Sequence, residues 1–133
     1  MKQILLDTCV WSWSLTDSPR LSRRARDAIA DADAIYVSPV SFFEVAQKVR
    51  VGKWPEMERY VDKLSALLAD QGMLIAALTP EIGVTAGILD WSHRDPFDRL
   101  IAVTSITTTC PLVSADSRFD ELDGRCDWRS RVW

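Results

Sequence analysis

The sequence predicts an α/β fold, a parallel sheet of four to five strands covered by helices on both faces. Three observations lead there. Four short β-rich apolar runs alternate with helical patterns, and strands separated by helices pair in parallel. Helix-start signals such as Ser38-Pro39, Thr79-Pro80 and Asp95-Pro96 punctuate the chain between those runs. The 133 residues, 47% of them hydrophobic, are enough for one core without metal or disulfide staples. With no repeat, low-complexity tract or linker-like stretch, residues 1–133 read as a single domain.

Gln3 to Leu6 is a buried strand ended by Asp7-Thr8. Trp11 and Trp13 follow on a short helix. Ser22 caps a helix with Ala25, Ala28, Ile29 and Ala32 on one face. Ala34 to Val37 is the second strand. Ser38-Pro39 opens a helix whose apolar face takes Val40, Phe43, Val45, Ala46 and Val49, and Gly52 stops it. Pro55 starts a helix reaching about Asp70, with Tyr60, Leu64, Leu67 and Leu68 inward. Gln71-Gly72 turns into a third strand, Leu74 to Leu78. The helix from Thr79-Pro80 ends near Asp90, and the one from Asp95-Pro96 runs to about Thr107. Pro111 to Ser114 is the fourth strand, and Cys126-Asp127-Trp128 is a candidate fifth.

Composition excludes several classes. Sixteen basic against 19 acidic residues leave a formal charge of −3, unlike a basic coat for nucleic acid. Cys9, Cys110 and Cys126 are odd in number and widely spaced, which fits neither a disulfide scaffold nor a zinc ribbon; reduced thiols in the cytoplasm are the expectation. Ile4-Leu5-Leu6 is too short for a signal-peptide core, and no run is long enough to span a bilayer. There is one histidine, His93, and no GxxxxGK or GxGxxG loop.

The acids are more informative. Ligands of parallel α/β sheets sit beyond the carboxyl ends of the strands. Two strands finish there on aspartate, Asp7 and Asp116. Glu44 is set among Phe42-Phe43 and Val45-Ala46, where a carboxylate is costly to bury unless it is paired or bound to metal. Asp98 lies in the first turn of its helix, just before Leu100 to Val103. Each also has an ordinary structural role open to it. Asp7 and Asp116 suit helix caps, Glu44 can pair with Lys48 one turn on, and Asp98 suits a helix N-terminus capped by Asp95. Four carboxylates gathered together would raise one another's pKa unless a cation neutralised them. Oxygen ligands without His or Cys select Mg²⁺ or Mn²⁺, whose usual work is phosphoryl chemistry.

Four segments carry a resemblance. Leu5-Leu6-Asp7-Thr8, Val40-Ser41-Phe42-Phe43-Glu44-Val45, the stretch His93-Arg94-Asp95-Pro96-Phe97-Asp98-Arg99-Leu100-Ile101-Ala102, and Leu112-Val113-Ser114-Ala115-Asp116-Ser117-Arg118-Phe119 resemble, in order, the motifs of PIN-domain ribonucleases of the VapC toxin type. The resemblance implies a three-layer α/β/α sandwich. It implies an Mg²⁺- or Mn²⁺-dependent endoribonuclease that leaves a 3′-hydroxyl and a 5′-phosphate. It also implies a small cognate antitoxin, and a homodimer or a toxin–antitoxin hetero-oligomer. By motif, Asp7, Glu44, Asp98 and Asp116 take the catalytic positions, with Asp7, Asp98 and Asp116 as metal ligands. Thr8, Ser114 and Asp95 support them, and Asp120 is a peripheral acid. Arg94 and Arg99 are the expected RNA contacts.

Other basic residues crowd at Arg20 to Arg26 and at Lys48, Arg50 and Lys53. Trp11, Trp13 and Trp54, three of six tryptophans, are candidates to border a groove for an antitoxin helix or for RNA bases. Two other enzyme-like classes lack their residues: a dehalogenase-type phosphatase needs a second aspartate where Cys9 stands, and a receiver domain needs a late lysine where Asp116 stands. A non-catalytic module on the same scaffold, or an RNA-processing nuclease without an antitoxin, stays open.

Overall fold

The computed structural model describes residues 1–133. Its strands are β1 (Gln3–Leu6), β2 (Ala34–Val37), β3 (Leu74–Ile75) and β4 (Leu112–Val113). They form one parallel sheet in the order β3-β2-β1-β4, with Leu5 opposite both Tyr36 and Leu112. Six α-helices surround it: α1 (Thr8–Leu15), α2 (Arg23–Asp31), α3 (Pro39–Arg50), α4 (Leu64–Asp70), α5 (Pro80–Ile88) and α6 (Pro96–Thr108). Two 3₁₀ helices, Pro55–Lys63 and Ser117–Leu122, complete the chain.

The pleat divides the core. Successive strand residues face opposite sides, so β1 sends Ile4 and Leu6 one way and Leu5 the other. Ile4 and Leu6 join Trp11, Ala25, Val45, Met57 and Leu64 under α1 to α4. Leu5 joins Ile82, Ile101, Val103, Leu112 and Phe119 under α5, α6 and the last 3₁₀ helix. Both faces of β1 are apolar because both are covered, which produces the expected α/β/α sandwich.

Local signals place most elements, and tertiary packing changes four details. The segment after Pro55 is 3₁₀ up to Lys63, where the backbone leaves helical geometry (φ −133°) before α4 begins. β3 is only two residues long, because it is an edge strand with exposed Leu74 and Ile75. The fifth segment to pair with the sheet is Val132, which bridges Val113 in parallel, and not Cys126 to Trp128. Phe43 points outward at 58% exposure while Phe42 packs on Trp11, since the buried stripe of α3 runs through Val40, Ser41, Glu44 and Val45.

Trp11 is fully buried, and its Nε1 donates to Gln71 Oε1 at 3.0 Å. It is a core residue and not a groove wall. Trp11→Phe removes the donor and part of the ring, with an expected cost of about 1–3 kcal/mol in urea unfolding.

Candidate active site

Each functional side chain is placed by a local rule. β1 ends at Leu6, and Asp7 becomes the N-cap of α1, its Oδ1 accepting from Thr8 N at 2.8 Å. Its Oδ2 accepts from Ser114 Oγ, just beyond β4, at 2.7 Å. Ser114 Oγ in turn accepts from Asp116 N at 3.0 Å, and Asp116 Oδ1 caps the last 3₁₀ helix through Arg118 N. Asp95 caps α6 by accepting from Phe97 N and Asp98 N, which sets Asp98 in the first turn. On α3, Glu44 is buried and pairs with Lys48 at 2.9 Å. Thr8 Oγ1 and Ser41 Oγ share a buried hydrogen bond of 2.8 Å that ties α1 to α3.

These caps and pairs are the ordinary roles open to the acids, and the fold uses them to gather the acids together. Asp7, Glu44, Asp95, Asp98 and Asp116 line one cavity of about 330 Å³ at the carboxyl edge of the sheet. Thr8 also lines it, and the only cations there are Lys48 and Arg118. A larger cavity, about 550 Å³, lies at the opposite end around Lys2, Gln3, Asp31 and Arg129, and it has no carboxylate cluster.

The electrostatics follow from burial. Desolvation drives the Asp7 carboxyl up to about 7. The Ser114 and Thr8 hydrogen bonds pull it down, and the charges of Asp98 and Glu44 push it up. Asp98 is also raised, first by desolvation, against the hydrogen bond from His93. Desolvation lowers the Lys48 ammonium, but the hydrogen bond and charge of Glu44 outweigh it and leave the pKa raised. Burial and the Asp7 charge push the Cys9 thiol at the cavity wall to about 11.

This donor set fits a hard cation. The converging groups are carboxylates, with hydroxyl donors behind them. Asp7 carries a desolvation cost that the chain's own cations do not remove. His93, Asp95 and Asp98 also bring potential ligand atoms within 4.8 Å of one another. Both ring nitrogens of His93 are already used, by Asp98 and Arg118, so this trio is a hydrogen-bonded support.

Two of the expected RNA contacts fall elsewhere. Arg99 is inward, and its guanidinium donates to the carbonyls of Ala86, Leu89, Trp91 and His93. Those donors are spent on the backbone, so Arg99 braces the loop between α5 and α6. Arg94 is exposed and outside the cavity lining. Asp120 is held by Arg131 in a two-pronged pair, 2.8 and 3.0 Å. Arg118, two residues after Asp116 in the motif that also carries Ser114, lines the cavity, although the sequence assigns it no role.

Ser114 is fully buried behind Asp7 and Asp116. Ser114→Ala should cost about 1–3 kcal/mol in stability. It should also weaken any binding of Mg²⁺ in the cavity about tenfold, measured by titration calorimetry, because supporting hydrogen bonds orient ligand carboxylates.

The PIN domain family matches residues 4–125. Ribonuclease VapC22 of Mycobacterium tuberculosis is 35% identical over 121 residues, spanning 89% of this chain and 90% of that protein. The fold is similar to VapBC2 from Rickettsia felis bound to a promoter DNA fragment, with TM-score 0.64, 18% identity, and coverage of 91% and 93% of the two chains. It is similar to a toxin–antitoxin complex from Klebsiella pneumoniae, with TM-score 0.58, 12% identity and 93% of each chain covered. FitAcB from Neisseria gonorrhoeae gives TM-score 0.53 at 22% identity, over 90% of this chain and 93% of that one.

Proposed function

The chain belongs to the PIN-domain family, and from that premise we propose that it is a metal-dependent endoribonuclease toxin of the VapC type, neutralised by a cognate antitoxin. One observation carries the reading. Carboxylates from the ends of β1 and β4 and from α3 and α6 line a single cavity at the carboxyl edge of the sheet. The relatedness to Ribonuclease VapC22 supports RNA as substrate, and the likeness to toxin–antitoxin complexes supports the antitoxin.

Asp7, Asp98 and Asp116 would hold Mg²⁺ or Mn²⁺. Bound there, the ion supplies Lewis acidity and a water of lowered pKa. Glu44 Oε2 is held by Lys48, which leaves Oε1 to orient the attacking water and take its proton. Attack on phosphorus in line with the leaving 3′-oxygen then gives a 3′-hydroxyl and a 5′-phosphate. The route through two histidines is closed, since the one histidine has both nitrogens occupied. From the cavity a groove continues past Cys9, Trp13 and Lys48 to Arg20, Lys53, Trp54 and Glu56, giving a single strand a path with three cations, one acid and the Trp13 ring.

No helix is long and apolar enough to cross a membrane. Cytoplasmic location belongs to the same proposal, as do the single domain over residues 1–133 and assembly as a homodimer or with antitoxin. The test is cleavage of end-labelled RNA with Mg²⁺, with Mn²⁺, with EDTA and with Asp7→Asn. Cleavage that persists in EDTA and in Asp7→Asn overturns the metal mechanism.

A further inference from the structure

We propose that Arg118 binds a phosphate of the RNA strand, and that His93 is the positioning residue that sets Arg118 and Asp98 together. The assignment deepens the nuclease reading and rests on it. Two cations line the acidic cavity. Lys48 is committed to Glu44, while Arg118 forms no ion pair although five carboxylates line the same cavity. Its backbone N–H donates to Asp116 Oδ1 at 2.9 Å, so its side chain starts from the turn that carries that acid.

The hydrogen-bond directions identify what holds it. A guanidinium has donors and no acceptor. The contact of 3.3 Å between Arg118 Nη1 and His93 Nδ1 is therefore a donation into the ring lone pair. The ring proton then sits on Nε2, which donates to Asp98 Oδ2 at 2.6 Å. The other tautomer would place two donors face to face at Nδ1 and two acceptors face to face at Nε2. The ring is fixed in place: Trp91 meets it edge-on at 5.0 Å, Arg99 Nη1 donates to the His93 carbonyl at 2.9 Å, and the side chain is only 9% exposed.

Two consequences follow for the site. Asp98 has one oxygen tied to His93, which leaves Oδ1 for the cavity. Arg118 spends one N–H on the ring, and the rest of its planar fork is exposed at the cavity rim. That fork matches two oxygens of a phosphodiester.

The single histidine makes the test direct, because long-range ¹H–¹⁵N spectra report His93 alone. In metal-free protein at pH 8 the ring should be the Nε2–H tautomer. Arg118→Ala should raise KM for single-stranded RNA about tenfold, lower the slope of log KM against log salt by about one, and change kcat little. His93→Ala should show the same KM defect, and His93→Gln, whose amide keeps a donor and an acceptor, should restore most of it. An Nδ1–H ring overturns the assignment, as does an Arg118→Ala protein with unchanged KM and salt slope. Failure of the nuclease reading shows separately, as the absence of any Asp7-dependent RNA cleavage by the parent protein, whereas the tautomer is read without RNA or metal.

Discussion

Asp7→Asn should lower RNA cleavage by about 10²–10⁴-fold and, at pH 8 in EDTA, raise the melting temperature of the protein by roughly 4–10 °C. The two effects share a cause. Asp7 is buried at the end of β1, and desolvation lifts its carboxyl from 3.8 to about 7. A group whose folded pKa lies above its unfolded value favours folding while protonated. That advantage is complete below about pH 4 and is lost as pH rises through about 7. At pH 8 the buried carboxylate is ionised and costs up to about 4 kcal/mol, at roughly 1.4 kcal/mol for each tenfold in proton affinity. Asparagine removes the charge, accepts from Thr8 N and turns its amide toward Ser114 Oγ. About 1–3 kcal/mol should be recovered, since the amide fits the two hydrogen bonds less well. Mg²⁺ should reverse the ranking. An ion bound at 100 times its Kd stabilises the parent by about 2.7 kcal/mol, and the variant should gain much less. Differential scanning calorimetry of both proteins, with EDTA and with Mg²⁺, measures this. A lower melting temperature for Asp7→Asn in EDTA would show that Asp7 is not a strained charge.

Arg99→Ala is the substitution expected to cost most stability, about 3–5 kcal/mol in urea unfolding. One guanidinium satisfies four carbonyls, those of Ala86, Leu89, Trp91 and His93. These belong to the end of α5 and to the loop that leads into α6. Alanine removes that donor from all four; the Leu89 carbonyl keeps Trp91 N at 2.9 Å, and each buried carbonyl left unpaired costs about 1–3 kcal/mol. The total stays below the sum because water reaches part of the loop, where Ser92 and Arg94 are exposed. Lysine should recover little, since one ammonium cannot span four carbonyls in the geometry of the fork. The loop carries His93 and feeds Asp95 and Asp98, so cleavage should fall in parallel with structure. The check is near-UV circular dichroism beside activity. Activity lost with an unchanged spectrum and stability would return Arg99 to the role of RNA contact.

The acids were legible because each is fixed by a rule that acts over a few residues. Asp7 ends a strand and starts a helix, Asp95 and Asp116 are caps, and Glu44 sits in an apolar stripe with Lys48 one turn on. A parallel sheet then brings strand ends to one edge. Arginines were not legible in this way. Arg94, Arg99 and Arg118 flank acidic motifs alike in sequence, yet one is exposed, one is locked onto carbonyls and one reaches the cavity. A long side chain with many donors takes whichever acceptors the fold leaves within reach, and those lie 6 to 25 positions away.

The sequence by itself determined the layer order, the strand-to-helix rhythm and the four carboxylates, because periodicity and capping are local. Tertiary structure decided that Trp11 is core and Phe43 is surface, and that Val132 supplies the last pairing. It also decided that His93 joins Arg118 to Asp98. Those outcomes depend on distances between segments far apart in the chain, set when both faces of the sheet are covered.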